Sequence, residues 1–547
     1  MRAKFYSSSL VLALAAGCWA SGSPKACFEM DGSTQAPARD YDKRCDNLTT
    51  ATAAPTTPDA APNQKSPAKA EPPRDPAHAA PAAPPENEFK VVKGDDATST
   101  FAVEVDTESY SLVRRYLRHH QLPPASLVRV EEMINRFDIT DPAPPTDGKP
   151  FATKIEVAGC PWKPEDKLVR IALRGREVDE AKRPPTNLVF LIDVSGSMSS
   201  PERLPLLKDA LRLLVEKLGE KDRVAMVVYA GAAGVVLPPT NGSNKAKILE
   251  ALDRLNAGGS TNGGAGIELA YRTAIEGFVE GGMNRVLLCT DGDFNVGISD
   301  AGELEKFIAE KRKTGVFLSC LGFGVSGYGD RTMETLADKG NGHYAAIDDL
   351  KEAKRVLVTE LTGTLVTIAK DVKVQVEWNA ERVKKWRLVG YENRVMANQD
   401  FKDDKKDGGE IGAGHRVTAL YEIESIEGES PLCSLRLRWK AADGETSTGS
   451  ETAFKGPTKP FADASTDFKF AASVAAGAML LRHSTHAGDA TWAKAIRWAA
   501  DGLGQDPRGE RGEWLDLLRR AADITGQPTE EPTNVREAAL ERERTRG

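Results

Sequence analysis

Apolar runs and helical segments alternate between residues 187 and 362, and this alternation restricts the fold more than any other feature of the chain. Asn187–Asp193, Arg223–Tyr229, Arg285–Thr290, Val316–Phe323 and Tyr344–Ile347 read as strands buried on both faces. Helical spacing separates them near Arg203–Leu218, Lys245–Leu255, Ala265–Phe278, Glu303–Thr314 and Thr332–Asp338, with a last helix near Leu350–Thr362. Continuous apolar strands with helical crossovers predict an α/β domain, doubly wound around a parallel sheet. Val235–Leu237, close behind Tyr229, predicts an antiparallel edge hairpin. In such sheets ligands bind beyond the carboxyl ends of the strands.

The first strand ends in Asp193-Val194-Ser195-Gly196-Ser197. A carboxylate and two hydroxyls at alternate positions converge on one point where the backbone turns sharply, and Gly196 permits such a turn. An all-oxygen set favours a hard cation such as Mg²⁺ or Mn²⁺ over zinc. Gly258-Gly-Ser-Thr261-Asn-Gly-Gly264 adds a hydroxyl in a glycine-rich loop, and Val286-Leu-Leu-Cys-Thr-Asp291-Gly adds a carboxylate at a second strand end. Together these segments resemble the metal-ion-dependent adhesion site of the von Willebrand factor A domain, a Rossmann-like fold. The resemblance implies a divalent cation held by Asp193, Ser195, Ser197, Thr261 and Asp291.

The amino terminus reads as an export signal over residues 1–18: basic Arg2 and Lys4, an apolar core at Leu10–Ala16, and Ala15-Ala-Gly-Cys18 in the manner of a bacterial lipobox. Cys18 is then either lipidated or simply the residue at a cleavage site. Later in the chain no apolar run approaches the ~18–20 residues that span a bilayer, so any attachment is through lipid, and to the outer membrane if the cell is Gram-negative. Residues 19–94 are rich in Pro and Ala and read as a disordered tether. Within it, Cys27 and Cys45 are either paired or free.

At 547 residues the chain has room for roughly three to four domains. Residues 95–185 read as strands (Phe101–Asp106, Phe151–Val157, Leu168–Leu173) with helices at Tyr110–His119 and Leu127–Arg136. The A domain occupies 186–365. Alternating half-buried strands follow in 366–455, at Val372–Trp378, Trp386–Val389, Val417–Ile423 and Leu435–Trp439, and a helical region fills 456–547. Neither flank has strands enough to shield a sheet alone, so the two are expected to form one composite β-rich module, with the metal site on the pole opposite to it. Cys160 and Cys433 would meet only if the flanks pack together, whereas Cys289 and Cys320 read as small buried hydrophobes. Phe101–Tyr110, Arg129–Asn135, Asp291–Gly297, Ala369–Lys373 and Gly390–Arg394 resemble the exported bacterial von Willebrand A proteins of the YfbK type, over about residues 95–525.

An enzyme is not indicated. None of the seven histidines falls in H-E-x-x-H, and G-x-S-x-G is absent. His119-His120 ends a helix, the Gly322–Gly329 glycines lack the phosphate-loop lysine, and the acids of Asp400–Asp407 are interleaved with lysine. A net charge of −7 with dispersed basic residues disfavours nucleic acid. The reading is therefore a cell-envelope adhesion or scaffold protein without a small-molecule substrate, whose cation engages an acidic side chain of a protein partner. The alternative is a structural envelope component, or an accessory subunit of an envelope complex, in which the cation only braces the loops.

Overall fold

A computed structural model describes residues 85–529, apart from 104, 146–147, 180–182, 260–262, 293–300, 325–329, 360–365, 405, 407, 443 and 445. Cys18, Cys27, Cys45, most of the tether and the charged segment Asn534–Gly547 lie outside the described residues. Before the A domain come strand β1 (Thr98–Ala102), helices α1 (Glu108–Arg118) and α2 (Val130–Asn135), and strands β2 (Phe151–Gly159) and β3 (Lys167–Gly175). The A domain runs through β4 (Thr186–Asp193), α3 (Leu204–Lys217), β5 (Arg223–Tyr229), β6 (Ala233–Asn241), α4 (Lys245–Asp253), α5 (Gly263–Glu276), β7 (Met283–Thr290), α6 (Ala301–Arg312), β8 (Val316–Phe323), α7 (Asp330–Lys339), β9 (Tyr344–Ile347) and α8 (Leu350–Lys354). After it come β10 (Thr367–Trp378), β11 (Val383–Val389), β12 (Arg416–Ser425), β13 (Cys433–Ala441), β14 (Ser447–Phe454), α9 (Thr466–Leu481), α10 (Trp492–Asp501) and α11 (Glu510–Ile524).

The A-domain sheet has the order β9-β8-β7-β4-β5-β6, with every neighbour parallel except the β5–β6 hairpin. All eight residues of β4 are buried, as a central strand with helices on both faces requires. One face packs Phe190 and Ile192 against Leu207 and Leu211 of α3; the other packs Val189 and Leu191 against Ile267 and Tyr271 of α5. Chain order reverses about β4, which places its carboxyl end and that of β7 side by side at the switch point.

The flanking strands build two further sheets. In the first, β11, β12, β3 and β2 pair antiparallel in that order; in the second, β1, β10, β13 and β14 do so. Period-two alternation divides β12: Val417, Ala419, Tyr421 and Ile423 join a core with Val374 and Leu437 of the other sheet, while Leu420 turns to a helical core with Val474, Trp514 and Leu518. The first sheet is thus the middle layer of three. Cys160 lies in the helical core and Cys433 in the sandwich core, both free and buried, so the two do not meet.

The last A-domain helix is clamped by these flanks. Glu352, 1% exposed, accepts from Arg136 Nη2 at 2.7 Å, Arg355 Nε at 2.8 Å and Arg114 Nη2 at 3.2 Å. Arg114 also donates from Nε to Asp348 at 2.9 Å and from Nη1 to Glu513 of α11 at 3.1 Å. Burial alone would raise the Glu352 carboxyl, but Arg136, Arg355 and Arg114 outweigh it and hold it well below its ordinary value. Beyond Lys354 the helix widens into a π turn at Arg355–Thr359. Among the described residues no helix is long and apolar enough to cross a membrane.

Candidate functional site

Asp193 closes β4 with none of its surface exposed, and Asp291 follows β7 at 6% exposure. The Ser195 N–H donates to Asp193 Oδ1 at 2.8 Å, folding the chain back over the strand end, and the Ser195 and Ser197 hydroxyls lie 3.0 Å apart. Ser195 is buried and Ser197 exposed. Thr290 Oγ1 donates to the other Asp193 oxygen at 3.3 Å. A short 3₁₀ turn at Gly196–Ser199 carries the chain away. Of the five residues picked from sequence, the structure brings Asp193, Ser195, Ser197 and Asp291 to adjacent strand ends; Thr261 lies outside the described residues.

One glycine acts differently from expectation. Gly196 does not adopt a left-handed backbone, and a Cβ there would sit 3.6 Å from the Gly259 carbonyl oxygen, an ordinary contact. Its role is instead an N–H donated to that carbonyl at 3.1 Å, tying the serine turn to the glycine-rich loop. Gly292, at φ 97°, is the residue whose freedom the turn uses, directly after Asp291.

The residue that sequence reading missed is Arg203. Its Nη1 donates to Asp291 Oδ2 at 2.6 Å and to the Ser197 carbonyl at 2.8 Å. Gly324 (φ 61°) makes room for it, since a Cβ at that position would approach Arg203 Cγ to 2.8 Å. Gly324, the first residue after β8, therefore borders the site. No local pattern marks Arg203, because its partner lies 88 positions along the chain.

The donor chemistry fits a hard cation. Burial raises the Asp193 pKa and the nearby Asp291 charge adds to the effect, while hydrogen bonds from Ser195 and Tyr229 oppose it. Two neighbouring carboxylates with one guanidinium leave a negative excess beside a pair of neutral hydroxyl oxygens, the environment in which a divalent ion is stabilised. Among the described residues no group of three or more His, Cys, Asp or Glu side chains could hold a metal.

The pole expected to face away from the flanks does not stand clear of them. Helix α1 comes up beside it, with Arg115 Nη2 donating to Glu202 at 3.0 Å, next to Arg203. The hydrophobic face of α1 has to pack on β9 and α11, and this brings its polar face to the loop that follows Ser197.

Residues 187–359 match the von Willebrand factor type A domain, residues 81–170 a von Willebrand factor model, and residues 363–524 the carboxy-terminal domain of the uncharacterized protein YfbK. YfbK of Escherichia coli (strain K12) is 42% identical over 455 residues, covering 78% of each chain. The chain belongs to the YfbK family. An uncharacterized protein of Synechocystis sp. is 30% identical over 196 residues, 36% of this chain and 45% of its own. Among solved structures, a von Willebrand factor type A protein from Catenulispora acidiphila is 18% identical with a TM-score of 0.39, covering 68% of this chain and 89% of its own. The sheet order and the family match together make the A domain a von Willebrand A fold, a class that serves protein–protein interaction.

Proposed function

We propose that the chain is an exported cell-envelope protein that binds an acidic side chain of a partner protein through Mg²⁺ or Mn²⁺ at Asp193, Ser195, Ser197, Thr261 and Asp291. The observation that carries this reading is the gradient of exposure within one turn: Asp193 is fully buried, Ser195 nearly so, and Ser197 open to solvent. The buried Asp193 carboxylate is fixed in orientation, and the exposed Ser197 leaves an approach for an outside oxygen. A bound divalent ion would supply an open coordination position for the partner's carboxylate. The protein's own part is to fix the orientation of Asp193 through the Ser195 N–H and Thr290, and to balance Asp291 with Arg203. No turnover is involved. We place the module boundaries at 95, 186, 366 and 456, which the β3–β12 pairing across the A domain supports.

Crosslinking in intact cells tests the reading. Wild-type protein is expected to capture a partner that Asp193→Ala, folded to the same extent, no longer captures. Equal capture by both proteins would reduce the cation to a brace for the loops.

The export signal and tether suit a lipid anchor at Cys18. Labelled palmitate is expected to enter the wild-type protein in a bacterial host, and Cys18→Ser is expected to release the protein from membranes. Wild-type protein found freely soluble outside the cytoplasm would make Cys18 an ordinary cleavage site.

A further inference from the structure

A cavity of about 490 Å³ lies where the A domain, the helices before it and the sheets after it come together. No single segment makes it. Strands β7 and β8 supply Arg285, Leu287, Ser319 and Leu321; the π turn after α8 supplies Leu357; the first residue of β12 and the loop before α11 supply Arg416 and Arg508. Its A-domain lining lies along the middle of β7 and β8 and at the start of β9, short of the strand ends that carry Asp193 and Asp291.

The walls differ in character. On the A-domain side Leu287, Leu321 and Leu357 form an apolar surface, each less than a tenth exposed. At the rim, Arg416 and Arg508 are 28% and 37% exposed, and both lie 2.6 Å from the same carboxylate, Asp138. Two guanidiniums thus share Asp138, and Arg508 also reaches Glu510 from Nε at 3.4 Å. The Arg416 Nε is buried with no hydrogen-bond acceptor. Other groups report the same positive field. Burial lowers the Arg416 pKa, and repulsion from Arg174 and Arg508 adds to this against the pull of Asp138 and Glu177. Burial, with Arg285, His415 and Arg394, pushes His343 on the cavity wall down to about 3, so it stays neutral at physiological pH.

We infer that this cavity binds a small organic anion, with an apolar body seated on Leu287, Leu321 and Leu357 and a carboxylate or phosphate head held by Arg416 and Arg508. Planar guanidiniums present paired N–H donors that match an oxyanion, and a bound head would supply acceptors to two guanidiniums that otherwise share Asp138, one of them with a buried Nε that has no acceptor. A concave apolar wall with a few convergent polar groups is the usual form of a small-molecule site.

Calorimetric titration of the whole exported chain in EDTA separates this site from any metal at the Asp193 pole. Phenyl phosphate and benzoate serve as anionic probes, benzyl alcohol as the neutral counterpart of similar size, and inorganic phosphate as the head alone. Saturable one-to-one binding of phenyl phosphate or benzoate is expected, with inorganic phosphate weaker and benzyl alcohol weaker still. Arg416→Gln and Arg508→Gln are each expected to weaken the anion by about tenfold or more, the loss of one charge-assisted contact, and Arg508→Lys to recover part of it. Both arginines are partly exposed, and an unchanged thermal midpoint in each variant excludes misfolding as the cause. No saturable binding of either anion to the wild type, equal binding by both glutamine variants, or benzyl alcohol binding as tightly as phenyl phosphate would each overturn the assignment.

Discussion

Asp193→Ala should reduce Mg²⁺ or Mn²⁺ binding by more than about a hundredfold while leaving the A domain folded. Changes to groups that merely orient metal ligands cost ~10–100-fold in affinity, and Asp193 supplies a charged oxygen directly. Its carboxylate is fully buried, with one oxygen fixed by the Ser195 N–H and the other by Thr290. Alanine removes a charge disfavoured by burial and by Asp291, which offsets part of the ~1–3 kcal/mol cost of leaving the Ser195 N–H and the Thr290 hydroxyl without this acceptor. Arg203→Gln provides the opposite arm. Arg203 contributes positive charge at Asp291 from 2.6 Å, so its removal is expected to tighten metal binding several-fold. Calorimetry with Mn²⁺ on the wild type and both variants reads the two directions at once. Undiminished affinity in Asp193→Ala sinks the metal site, whereas weaker binding in Arg203→Gln would show that the guanidinium supports the ligands rather than competing with the ion.

The A domain was legible because its central strands are continuous apolar runs. Val316–Phe323 and Tyr344–Ile347 have the bounds read from sequence, and Asp193 and Asp291 stand at strand ends. Elements whose form depends on distant partners were harder to read. Of the last helix, expected over Leu350–Thr362, Leu350–Lys354 is α-helical and Arg355–Thr359 a π turn, where Arg355 reaches Glu352 and Thr107; residues 360–362 lie outside the described residues. Strand β1 is Thr98–Ala102 rather than Phe101–Asp106; the alternating pattern continues past the last ladder pair, although the Val103 N–H still reaches the Gly408 carbonyl at 3.1 Å. Strand β14 carries no alternation at all, since it is a largely exposed sheet edge that needs no apolar face. Arg203 and the inter-module cavity escaped for a further reason. Each is assembled from segments far apart in the chain, and period and spacing describe only neighbours.

Distance along the chain also hides the clamp on α8, and removing its centre is expected to give the largest loss of stability. Glu352→Ala should lower the thermal midpoint by on the order of 10 °C, because deleting one partner of a buried ionic network costs about 3–5 kcal/mol. Arg114, Arg136 and Arg355 all donate to this carboxylate, from positions as far as 238 residues away. Without it Arg114 keeps Asp348 and Glu513 and Arg136 keeps Glu510 at 3.4 Å, but the carboxylate that joins these two to Arg355 is gone, and the Arg355 bond to Thr107 at 3.0 Å brings no charge. Acid provides an independent check. The carboxyl's folded pKa lies well below its ordinary value of 4.5, so its contribution is complete above about pH 4.5 and disappears as pH falls toward the folded value. The gap in midpoint between wild type and the isosteric Glu352→Gln should therefore stay constant from neutral pH down to that point and narrow below it. Because Arg114 and Arg136 belong to the flanking helices and Glu352 to the A domain, Glu352→Ala should also split one calorimetric transition into two. A single transition at the wild-type midpoint would mean that apolar packing alone joins the A domain to its flanks.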